Sequence, residues 1–122
     1  MEKKFYNLTN PQKNIWNMEQ YYKGTAVNNI GGTVHLKTQL DFSALSKAVS
    51  NVILAHDNFH IKLTKDGNNI KQIFVSLENY FVEIIDLNDM AELLLIEEKM
   101  CQTTFSMENS NLFCVKIFRL PD

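Results

Sequence analysis

The order of helix-like and strand-like patterns is the feature that most constrains the fold of this chain. Apolar residues recur at helical spacing in residues 11–22, 42–56 and 90–102. Other segments alternate apolar and polar side chains, or are apolar throughout, which is typical of β-strands. These predicted strands cover residues 30–37, 59–64, 70–75, 82–85 and 112–120, after a short extended lead-in at 5–8. Strands interleaved with helices predict an α/β fold, a two-layer sandwich rather than a helical bundle or a barrel.

Residue types at the boundaries of these segments agree with that order. Pro11 suits the first turn of a helix, where a missing N–H group loses no hydrogen bond. The polar run at residues 65–69 predicts the turn of a β-hairpin, and Gly31-Gly32 predicts a bulge or a close backbone approach. The candidate N-caps are Thr9 or Asn10 for the first helix, Asp41 for the second, and Asn88 or Asp89 for the third.

The helical spacing also predicts which side chains the helices bury. The expected inward-facing residues are Ile15, Trp16, Met18, Phe42, Leu45, Val49, Val52, Ile53, His56, Met90, Leu93, Leu94 and Cys101. Cys101 and Cys114 stand in apolar surroundings and are expected to be buried, reduced thiols, with a disulfide or a reactive thiol as the open alternatives.

Composition narrows the function classes. The 122 residues suffice for one domain with a core, and 45% of them are hydrophobic. A net charge of −2 argues against nucleic acid as a partner. No apolar run has the length of a membrane span or forms a secretory signal, so a cytoplasmic location is expected. The histidines and cysteines form no cluster at metal-ligand spacing, so neither a metal site nor a bound cofactor is expected in this chain.

The N-terminal helix carries a distinctive string, Thr9-Asn10-Pro11-Gln12-Lys13-Asn14-Ile15-Trp16. Gln12 follows the proline directly and Trp16 lies four residues further on. The string resembles the opening motif of condensation domains from non-ribosomal peptide synthetases, S/T-x-A/P-Q-x-x-[ILM]-W. The plainer interpretation of Trp16 is core packing on a helix.

Three further segments extend the resemblance in the same order along the chain. Residues 40–45 are similar to the family's L-D-x-x-A-L helix start, and residues 105–115 to the segment that leads into its active-site strand. Residues 55–63 resemble its second motif, R-H-E-x-L-R-T-x-F, with His56 and Asp57 at the His and acidic positions. Four similar segments in register cover nearly the whole chain.

The resemblance implies a fold, an activity and partners. The fold is that of the chloramphenicol-acetyltransferase-like superfamily, with two similar α/β lobes, and residues 1–122 would form a single domain, most of the N-terminal lobe. The implied reaction forms an amide bond when an acceptor amine attacks a donor thioester. Both substrates are tethered by phosphopantetheine to carrier domains, which become expected partners together with the missing C-terminal lobe.

Departures from the family limit what this chain can do. The two arginines of the second motif are replaced by Ala55 and His60. In the family, the second of these arginines pairs with the Asp of the later catalytic motif H-H-x-x-x-D-G, and His60 could donate a hydrogen bond there. That catalytic motif is absent, so the chain alone is expected to be inactive and no catalytic residue is assigned. The motif-matching structural residues are Gln12, Trp16, His56, Asp57 and His60.

Other functions and assemblies remain open. The parent could be a free-standing acyltransferase that uses coenzyme A, or the chain could be a non-catalytic α/β interaction domain. If Met1 is the native start, the donor would arrive from another polypeptide. A piece of a two-lobe protein is also expected to expose a sheet edge or an apolar surface, and to form a homodimer through it.

Overall fold

A computed structural model describes residues 4–121, and the predictions about Met1 and Asp122 as chain ends lie outside these residues. Strands and helices alternate along the described chain, which confirms the α/β class. The helices are α1 (Asn10–Tyr21), α2 (Phe42–Ala55) and α3 (Met90–Gln102); the strands are β1 (Tyr6–Asn7), β2 (Ile61–Asp66), β3 (Asn69–Phe74), β4 (Ile84–Asp86) and β5 (Ile117–Arg119); a 3₁₀ turn spans Asp57–His60. None of the helices in this part of the chain is long and apolar enough to cross a membrane.

Each helix begins at a side chain that accepts a hydrogen bond from its first turn. Thr9, rather than Asn10, caps α1. Asp41 caps α2 through a hydrogen bond of 3.0 Å from the Ala44 backbone N–H to its Oδ1. Asp89, rather than Asn88, caps α3. These caps satisfy N–H groups that have no partner within the helix, so local sequence sets where the helices begin.

The strands form two small sheets. In the first, β3 lies between β1 and β2 and is antiparallel to both. Hairpin β2–β3 closes through Gly67-Asn68, where Gly67 has a φ of +60°. A type II′ turn needs that backbone conformation at its first central residue, and glycine adopts it without strain. The second sheet is the parallel pair β4–β5.

Two predicted strands are largely missing from these sheets. The prediction for residues 30–37 is wrong, since this segment pairs with no strand among the described residues, and residues 112–120 form a strand only at Ile117–Arg119. The prediction that Phe59 begins a strand is also wrong, because Phe59 and His60 belong to the 3₁₀ turn. Gly31 and Gly32 have no other atoms close to where a Cβ would lie, so no close backbone approach explains them. An alternating pattern identifies a segment able to form a strand, whereas a ladder also requires a neighbour.

The buried core contains side chains from the hairpin, α2, α3, and the segments between β1 and α1, before β4 and after β4. Its apolar members are Leu8, Ile53, Leu63, Ile73, Val82, Leu87 and Leu93. Several predicted core residues are instead exposed, namely Ile15, Met18, Val52, His56, Met90, Leu94 and Cys101, and the second cysteine, Cys114, is also an exposed free thiol. Helical spacing locates an apolar face but does not show how much of it other elements cover.

Two buried serines connect α2 to the chain before β4. The Ser46 hydroxyl donates to the Val82 carbonyl, and the Val82 N–H donates to Ser50 Oγ over 2.9 Å. Ser50 in turn donates to the Ser46 carbonyl over 2.7 Å. Because all three residues are at most 4% exposed, water cannot replace these hydrogen bonds.

We predict that Ser46→Ala destabilises the protein by about 1–3 kcal/mol, since the substitution leaves the buried Val82 carbonyl without a donor. Urea unfolding gives the change in the free energy of unfolding. The matched control is Ser43→Ala, at an exposed position of the same helix. Equal unfolding midpoints for the two variants would contradict the prediction.

A second connection is an exposed ion pair at the end of the β4–β5 sheet. Arg119 donates two hydrogen bonds to the carboxylate of Asp86, of which the Nη2–Oδ2 bond measures 2.8 Å. These hydrogen bonds, and the charge of the guanidinium, lower the pKa of Asp86. The guanidinium also lies 5.2 Å from the ring centroid of Phe42 at the start of α2. The pair thus connects the second sheet to α2.

The lowered pKa of Asp86 predicts the sign of a pH effect. The ion pair stabilises the folded state fully above the unfolded pKa of about 3.9, and this contribution is lost as pH falls through the lower folded pKa. We expect wild type to melt above Asp86→Asn at neutral pH, by a small margin because the pair is exposed. The margin should vanish in acid and shrink in high salt. A margin that grows as pH falls would contradict this assignment.

Candidate functional site

The side chain of Gln12 performs two structural tasks at the start of α1. Its Oε1 accepts a hydrogen bond of 2.7 Å from the Thr9 N–H, which completes a capping box. Its Nε2 donates over 2.9 Å to Oε1 of Gln72 on β3, and Gln72 Nε2 donates over 2.9 Å to the Asn7 carbonyl. Gln72 is only 9% exposed, so its amide depends on these partners. The glutamine of the first motif therefore attaches α1 to Gln72 on the central strand of the sheet, and Gln72 in turn attaches β1.

The hairpin also contacts the last of the motif-like segments. A parallel bridge pairs Leu63 on β2 with Glu108, and the Asn109 N–H donates to the Leu63 carbonyl over 2.7 Å. The ammonium of Lys65 lies 2.9 Å from Glu108 Oε1. Leu63 also pairs with Gln72 across the hairpin. Three of the four motif-like segments thus meet at β2–β3, and the fourth supplies the Asp41 cap.

The second motif occupies the end of α2 and the 3₁₀ turn. His56 is the C-cap of α2 and is exposed. Asp57 is exposed at the start of the turn. His60 is half-buried, and its backbone carbonyl accepts from the Val75 N–H over 2.8 Å. Its Nε2 is buried and has no hydrogen-bond partner among residues 4–121.

An aromatic cluster connects this turn to the segment before β5. The rings of Phe59 and Phe113 meet edge to face with centroids 4.9 Å apart, and the centroids of the Tyr80 and Phe113 rings are 5.6 Å apart. Burial, and to a lesser extent the nearby Cys114 thiol, raises the pKa of Tyr80. The phenol is therefore neutral at physiological pH and serves in packing rather than as a base.

A large open cavity of about 1910 Å³ lies beside this framework. Its walls come from residues 28–40, α2, α3 and residues 112–121. Among the three histidines of the chain, His35 alone lines it. Within the described part of the chain, no three His, Cys, Asp or Glu residues are grouped so that they could hold a metal ion.

The motif-matching residues therefore separate into two places. Gln12 and Trp16 lie on α1, where the half-buried Trp16 borders a small cleft next to the hairpin turn. His56, Asp57 and His60 lie at the opposite end of β2, and no hydrogen bond between described residues joins the two groups. The sequence did not reveal the roles of Gln72 and Phe113. The strand around Gln72 contains polar and apolar residues, so the local sequence gave no signal for its role.

We predict that Gln12→Ala destabilises the fold by about 1–2 kcal/mol, because it removes both the capping hydrogen bond and the donor to Gln72. Gln12→Glu keeps an acceptor for Thr9 but loses that donor, so its effect should be intermediate. Gln20→Ala, at an exposed position on the same helix, is the matched control. Chemical denaturation of the three variants tests the order.

A double-mutant cycle with Gln72→Ala isolates the contact between the two amides. A coupling energy above about 0.5 kcal/mol is expected for side chains that share a hydrogen bond. Additive effects, or equal effects of Gln12→Ala and Gln20→Ala, would contradict the assigned role.

The chain is similar to known proteins in fold and in sequence. A solved structure, that of the condensation domain from Monacolin K polyketide synthase MokA, superposes with a TM-score of 0.72 at 19% identity, over 97% of this chain and 27% of that chain. Surfactin synthase subunit 1 of Bacillus subtilis (strain 168) is 31% identical over 78 residues, which are 62% of this chain and 2% of that protein. The chain thus spans a small part of each.

The structural superposition confirms the predicted α/β fold class. At 19% identity, it is evidence for the fold and not for the function. The resemblance first drawn from residues 9–16 and 55–63 now rests on a match over almost the whole length. The family model described as Condensation domain matches residues 2–122. The chain therefore belongs to the condensation domain family.

Proposed function

We propose that this chain is the N-terminal part of a condensation domain whose parent protein forms amide bonds. In that reaction the amine of an acceptor attacks the thioester of a donor, an N–C bond forms, the C–S bond breaks, and the thiol leaves with the proton that the amine gives up. One observation carries the proposal: the four motif-like segments occur in family order, and three of them meet at hairpin β2–β3.

The positions of the histidines support the proposal that the chain is inactive on its own. Its three histidines lie on separate elements, with His35 in the unpaired segment, His56 at the helix end and His60 in the turn. None is adjacent to another in sequence, as the family's catalytic motif requires. None has a nucleophile or an orienting carboxylate hydrogen-bonded to its ring among the described residues.

His60 is the residue best placed to contact the remainder of the parent domain. Its Nε2 is buried yet unpartnered, and burying such a group without a partner is unfavourable. In the parent, a carboxylate from the family's catalytic motif would supply the missing partner. His60 would then replace the family arginine, with a single hydrogen bond where arginine offers two.

The implied partners are two carrier domains, each with a phosphopantetheine arm, and the C-terminal lobe. In this proposal the phosphopantetheine is attached to the carrier domains, and this chain binds no cofactor of its own. The two-lobe arrangement also accounts for apolar side chains that remain exposed on this lobe, such as Leu94 and Leu95 at 59% and 60%. A cytoplasmic location fits such partners. Dimerisation through an exposed edge or apolar surface belongs to the same proposal.

We predict that the chain, mixed with an aminoacyl-loaded donor carrier and an amine-loaded acceptor carrier, yields no amide product above the rate without protein. Mass spectrometry of the carrier arms measures the product, and a complete condensation domain with the same carriers is the positive control. Amide formation by this chain alone would overturn the proposal of an inactive N-terminal part.

The identity of the acyl donor distinguishes a condensation domain from the two alternative functions, a free-standing acyltransferase and an interaction domain. Joined to its natural C-terminal continuation, the chain should use a carrier-bound thioester in preference to the same acyl group on coenzyme A. Preference for coenzyme A would instead identify a free-standing acyltransferase. If the joined protein uses neither donor while it binds another protein tightly, the chain is an interaction domain.

A further inference from the structure

The small cleft between α1 and the turn of the hairpin, here called the basic cleft, has a charge opposite to that of the whole chain. Its volume is about 390 Å³. Three of the ten residues that line it are lysines, four are asparagines and none is acidic. The chain as a whole has a net charge of −2. The basic cleft therefore gathers positive charge and amide donors at one place, which suits an anion.

The hydrogen bond between two glutamines brings the lysines of this cleft together. Gln12 Nε2 donates to Gln72 Oε1 over 2.9 Å and holds α1 against β3. Lys13 and Lys71 are the chain neighbours of these two glutamines, and both line the cleft. Asn17 follows Lys13 by four residues, so the two side chains share one face of α1. The contact that attaches α1 to the sheet thus also assembles the basic cleft.

Two of the three lysine charges in the cleft are not neutralised by a carboxylate. The Lys65 ammonium lies 2.9 Å from Glu108 Oε1, so its charge is already paired. The Lys71 ammonium donates over 2.5 Å to Oδ1 of Asn7, an uncharged amide that leaves the charge in place. Neither Lys71 nor Lys13 forms an ion pair among the described residues. An anion between the two ammonium groups would be attracted by both and would reduce their mutual repulsion.

We propose that the basic cleft binds one dianionic phosphate group, carried by a small phosphate monoester or present as free phosphate. Such a group has a charge of about −1.5 to −2 at neutral pH, which the ammonium groups of Lys13 and Lys71 balance. Its oxygens accept hydrogen bonds from these ammonium groups on one side and from the amides of Asn17, Asn68 and Asn69 on the others. The phosphate would therefore connect α1 to the hairpin.

The fluorescence of Trp16 offers a direct test on the intact chain, because this residue lines the cleft and is the only tryptophan in the sequence. Methyl phosphate is added at about pH 8, above its second pKa of about 6, and sodium chloride keeps the ionic strength constant. We expect a saturable change in fluorescence, with one ligand bound per chain by calorimetry. A linear response without binding heat would overturn the proposal.

Charge-removing variants locate the bound anion. Lys13→Gln and Lys71→Gln should each raise the dissociation constant at least about fivefold, since each removes a charge-assisted hydrogen bond. Lys47→Gln, at an exposed position on α2, removes the same charge elsewhere and is the matched control. An unchanged dissociation constant in Lys13→Gln, or equal losses in all three variants, would contradict binding in the cleft. Lys13 is exposed, so its variant should fold normally.

The choice of ligand tests the dianionic character of the bound group. Dimethyl phosphate carries a single charge, as does the phosphodiester of a carrier domain's phosphopantetheine arm, and should bind at least about tenfold more weakly. Equal affinity for the two esters would overturn the assignment. Inorganic phosphate distinguishes the two sources: affinity at least equal to that of methyl phosphate supports free phosphate as the ligand, and weaker affinity supports a monoester.

Thermal unfolding provides a second readout, because the cleft exists only when α1 lies on β3. Methyl phosphate at ten times its dissociation constant should raise the folded-to-unfolded ratio about tenfold and increase the melting temperature. The same concentration should have a smaller effect on Lys13→Gln. An unchanged melting temperature in the wild type would contradict binding to the folded chain. None of these measurements involves amide formation, so this proposal and the proposed function can fail separately.

Discussion

The buried amide of Gln72 is the constraint on which the N-terminal half of this structure depends. It lies on the central strand of a three-stranded sheet, where an unsatisfied polar group would cost about 1–3 kcal/mol. The carbonyl of Asn7 and the side chain of Gln12 together satisfy it. β1 and α1 are therefore positioned by one side chain that belongs to neither.

Features that depend on neighbouring residues could be predicted from the sequence. Asp41 caps α2 because its carboxylate reaches an N–H three residues away, and Gly67 closes a hairpin whose two strands are adjacent in sequence. The order of elements and the condensation domain resemblance rest on local patterns of the same kind. Gln72 and the serines of α2 could not be predicted, because their partners lie 32 to 65 residues away. The strand predicted at residues 30–37 is wrong for the same reason, because a strand also depends on a neighbour that is distant in sequence.

Two residues of the motif-like segments, Gln12 and Asp41, make structural hydrogen bonds in the described part of the fold. Gln12 and Asp41 begin helices, and the segment around Glu108 holds the hairpin from its other side. His60 has an unmet requirement, because its ring nitrogen is buried without a partner among the described residues. Motifs of this kind identify a family because they stabilise its fold. The groups that carry out the reaction belong to other parts of the protein, which this fold holds in position.

The serine connection between α2 and Val82 has a consequence for the order of folding. Its contacts close a loop of 32 to 36 residues, and the complete hairpin β2–β3 lies inside that loop. Closing a long flexible loop loses more chain entropy than closing one already shortened by a hairpin. Hairpin formation should therefore precede the docking of Val82 on α2. The rate of the later step would then depend on Gly67, a residue that touches neither serine.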